Sequence, residues 1–416
     1  MMAPLRGKSG VLLWFLGSLW FCLLGCEKEE LPELVVDPGS ERHVFAIDFQ
    51  NPTPARKVRT MMGIQGSPAS VIPGDPDLIS PYQQYGFEIV RIPQDDFCAY
   101  TLEGVFQDAD LPVSELASYN FGNVDHLIDG ILASGAEVLW QAIYDVGSGG
   151  PCASFEDRHT GQIVEDPNRF VNVVNNVLRH FNEGETDWDP EGKEYGVRYV
   201  EYLNDPMGLG GYTLEESALY FDHYRTFAQG IRAAFDGASA QGTSIKLIGP
   251  AHHVRSWGDL RLGEKDFVFS FIDQVVDENV PLDILSLQFR MDAPYEMGWV
   301  VEEVRNYLDQ RGLVEIPIWI TEVAPSEEQE KALRDEGIEV YAEYVGAHLV
   351  ASKIAWQETV ERVFPHRGTR RRYNGTGSVD LVESAFFDAQ GGERGGFWAS
   401  THLRRMKAIQ FCVEVH

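Results

Sequence analysis

A strand, a helix and a second strand follow one another between residues 197 and 249. The segments are VRYVEYLN (197–204), TLEESALYFDHYRTFAQGIRAAF (213–235) and SIKLIG (244–249). In the central segment a capping box begins at Thr213, and large apolar side chains then recur at helical spacing. They are Tyr220, Tyr224, Phe227, Ile231 and Phe235. Two strands joined by a helix form a βαβ unit, which predicts a parallel sheet.

The same alternation runs along most of the chain. Short β-branched or aromatic runs predict eight strands, at residues 58–65, 87–93, 137–144, 197–204, 244–249, 282–290, 316–322 and 383–388. Amphipathic segments lie between them, for example Leu127, Ile128, Ile131 and Leu132, followed by Gly135. Eight βα units predict an α/β fold with a single (β/α)8 TIM barrel, whose active site lies at the carboxyl ends of the strands. A short extra strand at 43–49 is expected to pack outside the barrel.

An open, doubly wound sheet is the alternative arrangement of βα units. Its nucleotide-binding forms carry a glycine-rich turn, G-x-G-x-x-G or G-x-x-x-x-G-K-[ST], after an early strand. Neither turn follows the early strands of this chain. The sequence therefore favours the closed barrel.

The charge balance limits the partners. The chain has 416 residues with 34 Lys and Arg against 64 Asp and Glu, so its formal net charge is −30 at pH 7. A polyanion is repelled by nucleic acid and by acidic membrane surfaces, so no nucleic-acid partner is expected. Neutral small molecules are the expected ligands, although a local basic pocket could hold one anionic group. The basic run Arg370-Arg371-Arg372 precedes predicted strand eight and is expected as a solvated loop on the opposite face from the active site.

The first residues resemble an export signal. Arg6 and Lys8 precede the apolar run VLLWFLGSLWFCLLG (11–25), which has the regions of a signal peptide and is short for a membrane span. The run leads to Leu-Leu-Gly-Cys, which resembles a bacterial lipobox and implies cleavage before Cys26 and lipidation of its thiol. A signal anchor that stays uncleaved is the alternative.

This signal divides the chain into three parts. Residues 1–25 are the predicted lipoprotein signal peptide, residues 26–40 a polar tether, and residues 41–416 the barrel. The barrel is therefore expected in the bacterial cell envelope, facing the periplasm or the exterior. Its contact with the membrane is expected to be the lipid anchor alone.

Export into an oxidising compartment permits disulfides. Without Cys22 and Cys26 the mature chain keeps Cys98, Cys152 and Cys412. Cys98 and Cys152 follow strands two and three, which are neighbours in a parallel sheet, so we predict a Cys98–Cys152 disulfide between these two loops. Two separate buried thiols are the alternative. Since no CxxC pair or Cys/His metal spacing occurs, no structural metal is expected.

Two of the predicted strands end in a carboxylate. The fourth leads into Asn204-Asp205-Pro206, and the seventh ends in Thr321-Glu322. This pattern resembles the clan of retaining (β/α)8 glycosidases, in which strand four ends in Asn-Glu-Pro and strand seven in the nucleophilic Glu. Further stretches narrow the resemblance to glycoside hydrolase family 39, of the β-xylosidase and α-L-iduronidase type. They are YNF (119–121), VDHLID (124–129), IKLIGPA (245–251) and NVPLDILS (279–286).

The resemblance implies a catalytic pair. Glu322 would be the nucleophile and Asp205 the acid/base, with the two carboxyl groups about 5–5.5 Å apart and no cofactor or metal. Arg91, in strand two, matches the arginine that keeps the nucleophile ionised, and Asn204 matches the asparagine that binds the sugar 2-hydroxyl. A barrel-end ion pair for Arg91 and a strand-end cap for Asn204 are the alternatives. The implied substrates are oligo- or polysaccharides, with β-xylosides first and uronic-acid glycosides second.

Two positions depart from the family pattern. Asp205 stands where the family has Glu and is one methylene shorter, whereas proton transfer needs heavy atoms within about 2.6–3.2 Å, directly or through one water. Strand six ends in Gln288-Phe289-Arg290, where the family has His and Tyr. Three outcomes are open. The site could have tightened so that Asp205 reaches the leaving oxygen, the substrate could have a leaving group acidic enough to need little protonation, or the protein could have lost hydrolytic activity and kept sugar binding. Two functions stay open: a retaining glycoside hydrolase, and a weak or inactive carbohydrate-binding lipoprotein. A metal-dependent hydrolase is a third class, and the sequence lacks ligands for it.

Four more residues follow or end strands and are candidate substrate contacts. They are Gln288, His252, Trp257 and Arg290. For Gln288 the alternative is a side chain that fills the barrel interior. For His252 it is an exposed position on the surface, and for Trp257 it is packing in the core. Arg290, together with Arg255, could bind a carboxylate or sulfate on the sugar. Ion pairing with Asp259 or Asp292 is the alternative for these two arginines.

Overall fold

Eight parallel strands follow one another in chain order around one sheet in the computed structural model of the protein. They are β1 (Gly63–Gln65), β2 (Ile89–Ile92), β3 (Glu137–Ala142), β4 (Tyr199–Tyr202), β5 (Lys246–Val254), β6 (Ile284–Arg290), β7 (Ile318–Ala324) and β8 (Val360–Pro365). β8 lies next to β1, so the sheet curves round into a barrel. The predicted (β/α)8 barrel is confirmed.

Helices connect successive strands and cover the outside of the barrel. They are α1 (Ile79–Tyr85), α2 (Gly122–Ala133), α3 (Pro167–Asn182), α4 (Leu214–Phe235), α5 (Glu264–Asp277), α6 (Pro294–Gln310), α7 (Glu327–Glu336) and α8 (Ile338–Trp356). Each of the first six follows the strand of the same number, and α7 and α8 both follow β7. No helix within the described ranges is long and apolar enough to cross a membrane.

The structure describes residues 63–69, 77–92, 105–106, 111–142, 166–203, 214–235, 244–254, 264–356, 359–366, 370–373, 379–382 and 386. All of them belong to one compact unit, Ala55–Gln410. The predictions for the signal peptide (1–25), the tether (26–40) and the extra strand (43–49) lie outside these ranges. The same holds for the predictions made for Cys26, Cys98, Cys152, Asn204, Asp205, Arg255 and Trp257.

An apolar layer fills the floor of the barrel. It consists of the buried side chains of Ile89, Leu139, Ile248, Ile284, Trp319 and Phe364. A Cβ atom at Gly63 would overlap the ring of Phe364, so glycine is required where β1 passes β8. Because side chains alternate along a strand, the next inward-facing position lies two residues further on. That position is polar in three strands, where Arg91 follows Ile89, Gln141 follows Leu139, and Glu201 follows Tyr199.

The helical pattern that led to the βαβ prediction is confirmed. All five apolar positions of α4 from Tyr220 to Phe235 are buried, and Tyr220, Tyr224 and Phe227 pack on Tyr202 of β4. In α2 the helix ends just before Gly135, whose φ of 82° lies in the left-handed region that favours glycine.

The last strand differs from the prediction. β8 is Val360–Pro365, so the assignment of strand eight to 383–388 is wrong. The segment VERVFP carries two adjacent charges, which conceal its strand character. Their partners are on neighbouring strands or loops: Glu361 Oε2 accepts from Trp319 Nε1 (3.2 Å), and Arg362 pairs with Glu88 (3.1 Å).

The position of the basic run changes with this correction. Residues 370–372 follow β8 instead of preceding the last strand, so the reason for placing them on the opposite face no longer holds, and the prediction of a loop there is wrong. They belong to β9 (Arg370–Tyr373), which pairs antiparallel with β10 (Val379–Val382).

Candidate active site

Glu322 lies near the carboxyl end of β7, opposite Gln288 of β6 in the sheet register. Its side chain is 9% exposed. Oε1 accepts a hydrogen bond from Arg290 Nε (2.9 Å), and Oε2 accepts one from Gln65 Nε2 (3.4 Å). Gln65 is itself oriented, because its Nε2 also donates to the Thr321 carbonyl (2.7 Å). Both carboxylate oxygens therefore face a donor held by the barrel.

Arg290 ends β6 and uses all three of its guanidinium nitrogens. Besides the bond from Nε to Glu322, Nη2 lies 3.0 Å from His366 Nε2, and Nη1 lies 3.7 Å from Glu330 Oε2. His366 Nε2 also lies 3.6 Å from Glu322 Oε1. Arg290 is thus shared between two carboxylates and one imidazole.

The pKa of Glu322 is well below its usual range. Burial raises this pKa, but the positive charges of His366, Arg290, His253 and Arg91 lower it by more. Arg290 is the permanently charged group that touches the carboxylate directly, through the 2.9 Å bond to Oε1. Glu322 is therefore an ionised carboxylate at neutral pH, which is the state a nucleophile needs.

Arg91 forms its ion pair with a different carboxylate, Glu201 of β4. Nε and Nη2 of Arg91 lie 2.7 and 2.6 Å from Glu201 Oε2, and both side chains are fully buried. Gln141 Nε2 lies 3.4 Å from the same oxygen and donates to the Leu203 carbonyl at 2.8 Å. Arg91 is therefore in an ion pair within the barrel, and it influences the pKa of Glu322 through its field.

A bulge in β5 decides which of two adjacent histidines faces the site. The register shifts between Pro250 and His252, and Ala251 has a φ of 54°. His252 is consequently on the outer side of the sheet, fully buried with its ring 4.9 Å from that of Phe267 in α5. This placement fits neither the predicted sugar contact of His252 nor surface exposure. His253 is the histidine whose charge acts on Glu322.

Of the other residues named from the sequence, some lie within the described ranges and some do not. Gln288 is buried and lies in register between His253 and Glu322. Asp292 accepts two hydrogen bonds from Ser326, from its backbone N–H (2.9 Å) and its hydroxyl (3.0 Å). Asn204 and Asp205 come directly after Leu203, which is the last described residue of this segment. The separation of Asp205 and Glu322 therefore stays a prediction.

Several site residues were missed by the sequence analysis. Glu201 could have been found, because it shares its strand face with Tyr199 and is a lone carboxylate in a buried strand. His366 directly follows the true β8, so its role was hidden by the misplaced strand. Gln65 ends a strand whose end was correctly predicted, but glutamine is too common to single out. No feature of the sequence points to Glu330, which lies within a polar helix.

Among the residues that the structure describes, no group of three or more His, Cys, Asp or Glu side chains is placed to hold a metal ion. The cluster of Glu322, Arg290, Gln65 and His366 instead holds one ionised carboxylate at the mouth of the barrel. Such an arrangement can attack an electrophilic carbon or accept hydrogen bonds from a polar ligand.

Several solved structures with the same fold are named as glycosidases. A glucosidase from Croceicoccus marinus superposes with a TM-score of 0.62 at 18% identity, covering 89% of this chain and 72% of the other. A GH39 β-xylosidase from Caulobacter crescentus gives a TM-score of 0.56 at 17% identity, covering 89% and 77%. This chain shares their fold. A family 51 α-L-arabinofuranosidase from Bifidobacterium longum gives 0.52 at 10% identity, covering 89% and 78%.

Matches by sequence are absent. No protein-family model matches the chain. No curated protein matches it either. At the identities found, the structural likeness establishes the (β/α)8 fold, and the chemistry has to be argued from the site itself.

Proposed function

We propose that the protein is a retaining glycoside hydrolase with Glu322 as its nucleophile. The observation that carries the proposal is the ionised carboxylate of Glu322, buried near the end of β7 with a donor on each oxygen. In (β/α)8 enzymes the reacting groups lie at this end of the barrel. The similar folds of a glucosidase and a β-xylosidase support the same reaction class.

The reaction would proceed in two steps. In the first, a Glu322 oxygen bonds to the anomeric carbon while the bond from that carbon to the leaving oxygen breaks, and Asp205 gives its proton to the leaving oxygen. In the second, Asp205 takes a proton from water, whose oxygen bonds to the anomeric carbon and releases Glu322 as a carboxylate. Neither step uses a cofactor.

Neutral sugars, with β-xylosides first, are the substrates we propose. Arg290 was the candidate for binding an anionic sugar, but its three nitrogens face Glu322, His366 and Glu330. A sugar carboxylate would have to displace one of these partners. Uronic-acid glycosides are therefore second choices.

A weak or inactive carbohydrate-binding protein is the second candidate function. It is favoured by the direct bond from Arg290 to Glu322 Oε1, because a paired carboxylate with a low pKa is a weaker nucleophile. The shorter acid/base side chain, Asp205, favours it as well. In either function we propose an exported, lipid-anchored protein, for which the support is the lipobox-like sequence ending at Cys26.

Glu322→Gln tests the proposal. This change keeps the size of the side chain and removes the charge, so turnover of aryl xylosides with good leaving groups should fall by about a thousandfold or more, as for loss of a nucleophile. Glu336→Gln, an exposed change on α7, is the matched control and should leave turnover unchanged. Undiminished turnover in Glu322→Gln would refute the assignment. Sugar binding by calorimetry without turnover in the native protein would support the second candidate instead.

A further inference from the structure

Glu330 is a buried carboxylate beside the site that neither step of the proposed reaction uses. It lies in the second turn of α7, the helix that follows β7, and is 7% exposed. An isolated buried carboxylate is costly, so its position has to be explained by its partners.

Two arginines lie against different oxygens of the Glu330 carboxylate. Its Oε2 lies 3.7 Å from Arg290 Nη1, and its Oε1 accepts from Arg334 Nε at 3.0 Å. Arg334 is fixed in turn, since its guanidinium lies 4.0 Å from the ring centre of Tyr341. Charges therefore alternate along this series of contacts, from Glu322 through Arg290 and Glu330 to Arg334.

The helix that carries Glu330 is anchored to the strand that carries Arg290. Ser326, the N-cap of α7, accepts from the Gln329 backbone N–H (3.2 Å) and donates to Asp292, two residues after Arg290. Capping and this cross-link fix the first turns of α7 against the end of β6. Glu330 is thereby held at a set distance from the guanidinium of Arg290.

We propose that Glu330 is a positioning residue that divides the charge of Arg290 between itself and the nucleophile. This inference rests on the proposed function. When Glu322 bonds to the sugar its negative charge disappears, and when the glycosyl-enzyme is hydrolysed the charge returns. A cation on Oε1 stabilises the charged form, so it slows the first step and speeds the second. Glu330 also attracts Arg290, and it therefore weakens the effect of Arg290 on both steps.

Glu330→Gln should therefore change the two steps in opposite directions. Formation of the glycosyl-enzyme, followed by kcat/KM and by the pre-steady-state burst with an aryl xyloside, should slow by about tenfold, a usual size of coupling within an ion-pair network. Hydrolysis of the glycosyl-enzyme should become faster. Glu328→Gln removes the same charge from an exposed position two residues earlier in α7 and should leave both rates unchanged. Equal slowing of both steps, or no difference from Glu328→Gln, would overturn the proposal.

A second measurement does not depend on turnover. Because Glu322 and Glu330 share Arg290, the shifts in urea midpoint caused by Glu322→Gln and Glu330→Gln should not add in the double variant. In the Arg290→Met background the two shifts should become additive. Additive shifts in the native background would overturn the positioning role. If the native protein turns over no glycoside, the proposed function fails, while this cycle still decides whether Glu330 acts through Arg290.

Discussion

Arg91 and Arg290 both lie inside the barrel, but each binds a different carboxylate. Arg91 pairs with Glu201, with both side chains fully buried, and Arg290 pairs with the more accessible Glu322. A fully buried pair gains little net stability, yet removing one partner leaves a buried charge without compensation. The Arg91–Glu201 pair is thus a structural requirement of the barrel interior, and the Arg290–Glu322 pair belongs to the site.

Glu201→Gln should destabilise the protein by about 3–5 kcal/mol, because it removes the charged partner that binds the fully buried Arg91 guanidinium at 2.6–2.7 Å. Unfolding in urea measures the loss. Glu137→Gln is the matched control, since it breaks the exposed pair with Arg198, in which both side chains are nearly half exposed. That change should cost about 0–1 kcal/mol. Similar losses in the two variants would contradict the account of the buried pair.

The sequence predicted which residues reach the site better than it predicted the contacts of those residues. Strand periodicity and the resemblance pointed to the strand ends that carry Arg91, Arg290 and Glu322. Their partners depend on the stagger between strands and on bulges. The bulge at Ala251, for example, turns His252 outward and gives His253 the position near Glu322. A residue in this conformation has no signature in an alternating pattern.

Helix α8 carries a buried lysine that the fold has to accommodate. Lys353 is 4% exposed, and burial lowers its pKa to about 7, although Glu88 favours the charged form. In the unfolded chain the pKa is near its ordinary value of 10.5. The unfolded state therefore binds more protons between these two pH values, so stability decreases as the pH falls from about 10 to 7 and is then constant.

Lys353→Met should therefore stabilise the protein, and the gain should depend on pH. Below pH 7 it should reach a few kcal/mol, and it should shrink as the pH rises towards 10. The free energy of unfolding of both proteins across this pH range is the measurement. Lys331→Met, at a position where the side chain is 78% exposed, is the control and should show no such trend. A gain independent of pH would contradict the lowered pKa.

Helix α2 packs so closely on the segment after β1 that it needs a glycine. A Cβ atom at Gly130 would overlap that of Ala69 and lie 3.3 Å from its Cα. Gly130→Ala gains about 1 kcal/mol of helix propensity but costs about 1–3 kcal/mol of overpacking, so the protein should be destabilised. At Gly122 in the same helix a Cβ meets only Asn120 at 3.8 Å, so Gly122→Ala should be neutral or stabilising. Thermal unfolding of the two variants gives the sign of each change in stability. Stabilisation by Gly130→Ala would show that α2 and Ala69 are less closely packed than this contact requires.

Most strands could be predicted because they are short apolar runs between turn residues. β8 could not, because Glu361 and Arg362 occupy its first half and their partners come from β7 and from the residue before β2. Long-range partners of this kind are absent from any local pattern. The misplaced strand also concealed His366, and it placed the basic run 370–372 before the last strand of the barrel instead of after it.

At the scale of the whole molecule, the barrel places the ends of distant segments in one site. Gln65, Arg290, Glu322 and His366 come from β1, β6, β7 and the end of β8, and they meet around one carboxylate. The fold is shared with glycosidases that are 18% identical or less. What the comparison shows at such identity is the shared barrel fold.

The Cys98–Cys152 disulfide remains a prediction for the exported protein. Closing a loop of about 50 residues should stabilise the fold by roughly 4 kcal/mol in the chain-entropy model, less any strain. Thiol counting on unreduced, denatured protein without residues 1–26 is the measurement. One thiol, that of Cys412, is expected, and three would refute the bridge.

The central claim is that Glu322 attacks the sugar. Its most direct test is to trap the glycosyl-enzyme with an aryl xyloside that carries a good leaving group and fluorine in place of the 2-hydroxyl. The fluorine slows both steps, and the good leaving group keeps the first step fast enough for the glycosyl-enzyme to accumulate. Peptide mass spectrometry should find one 2-deoxy-2-fluoroxylosyl adduct on Glu322 in the native protein and none in Glu322→Gln. Hydrolysis of aryl xylosides without any adduct, or with the adduct on another carboxylate, would contradict the account.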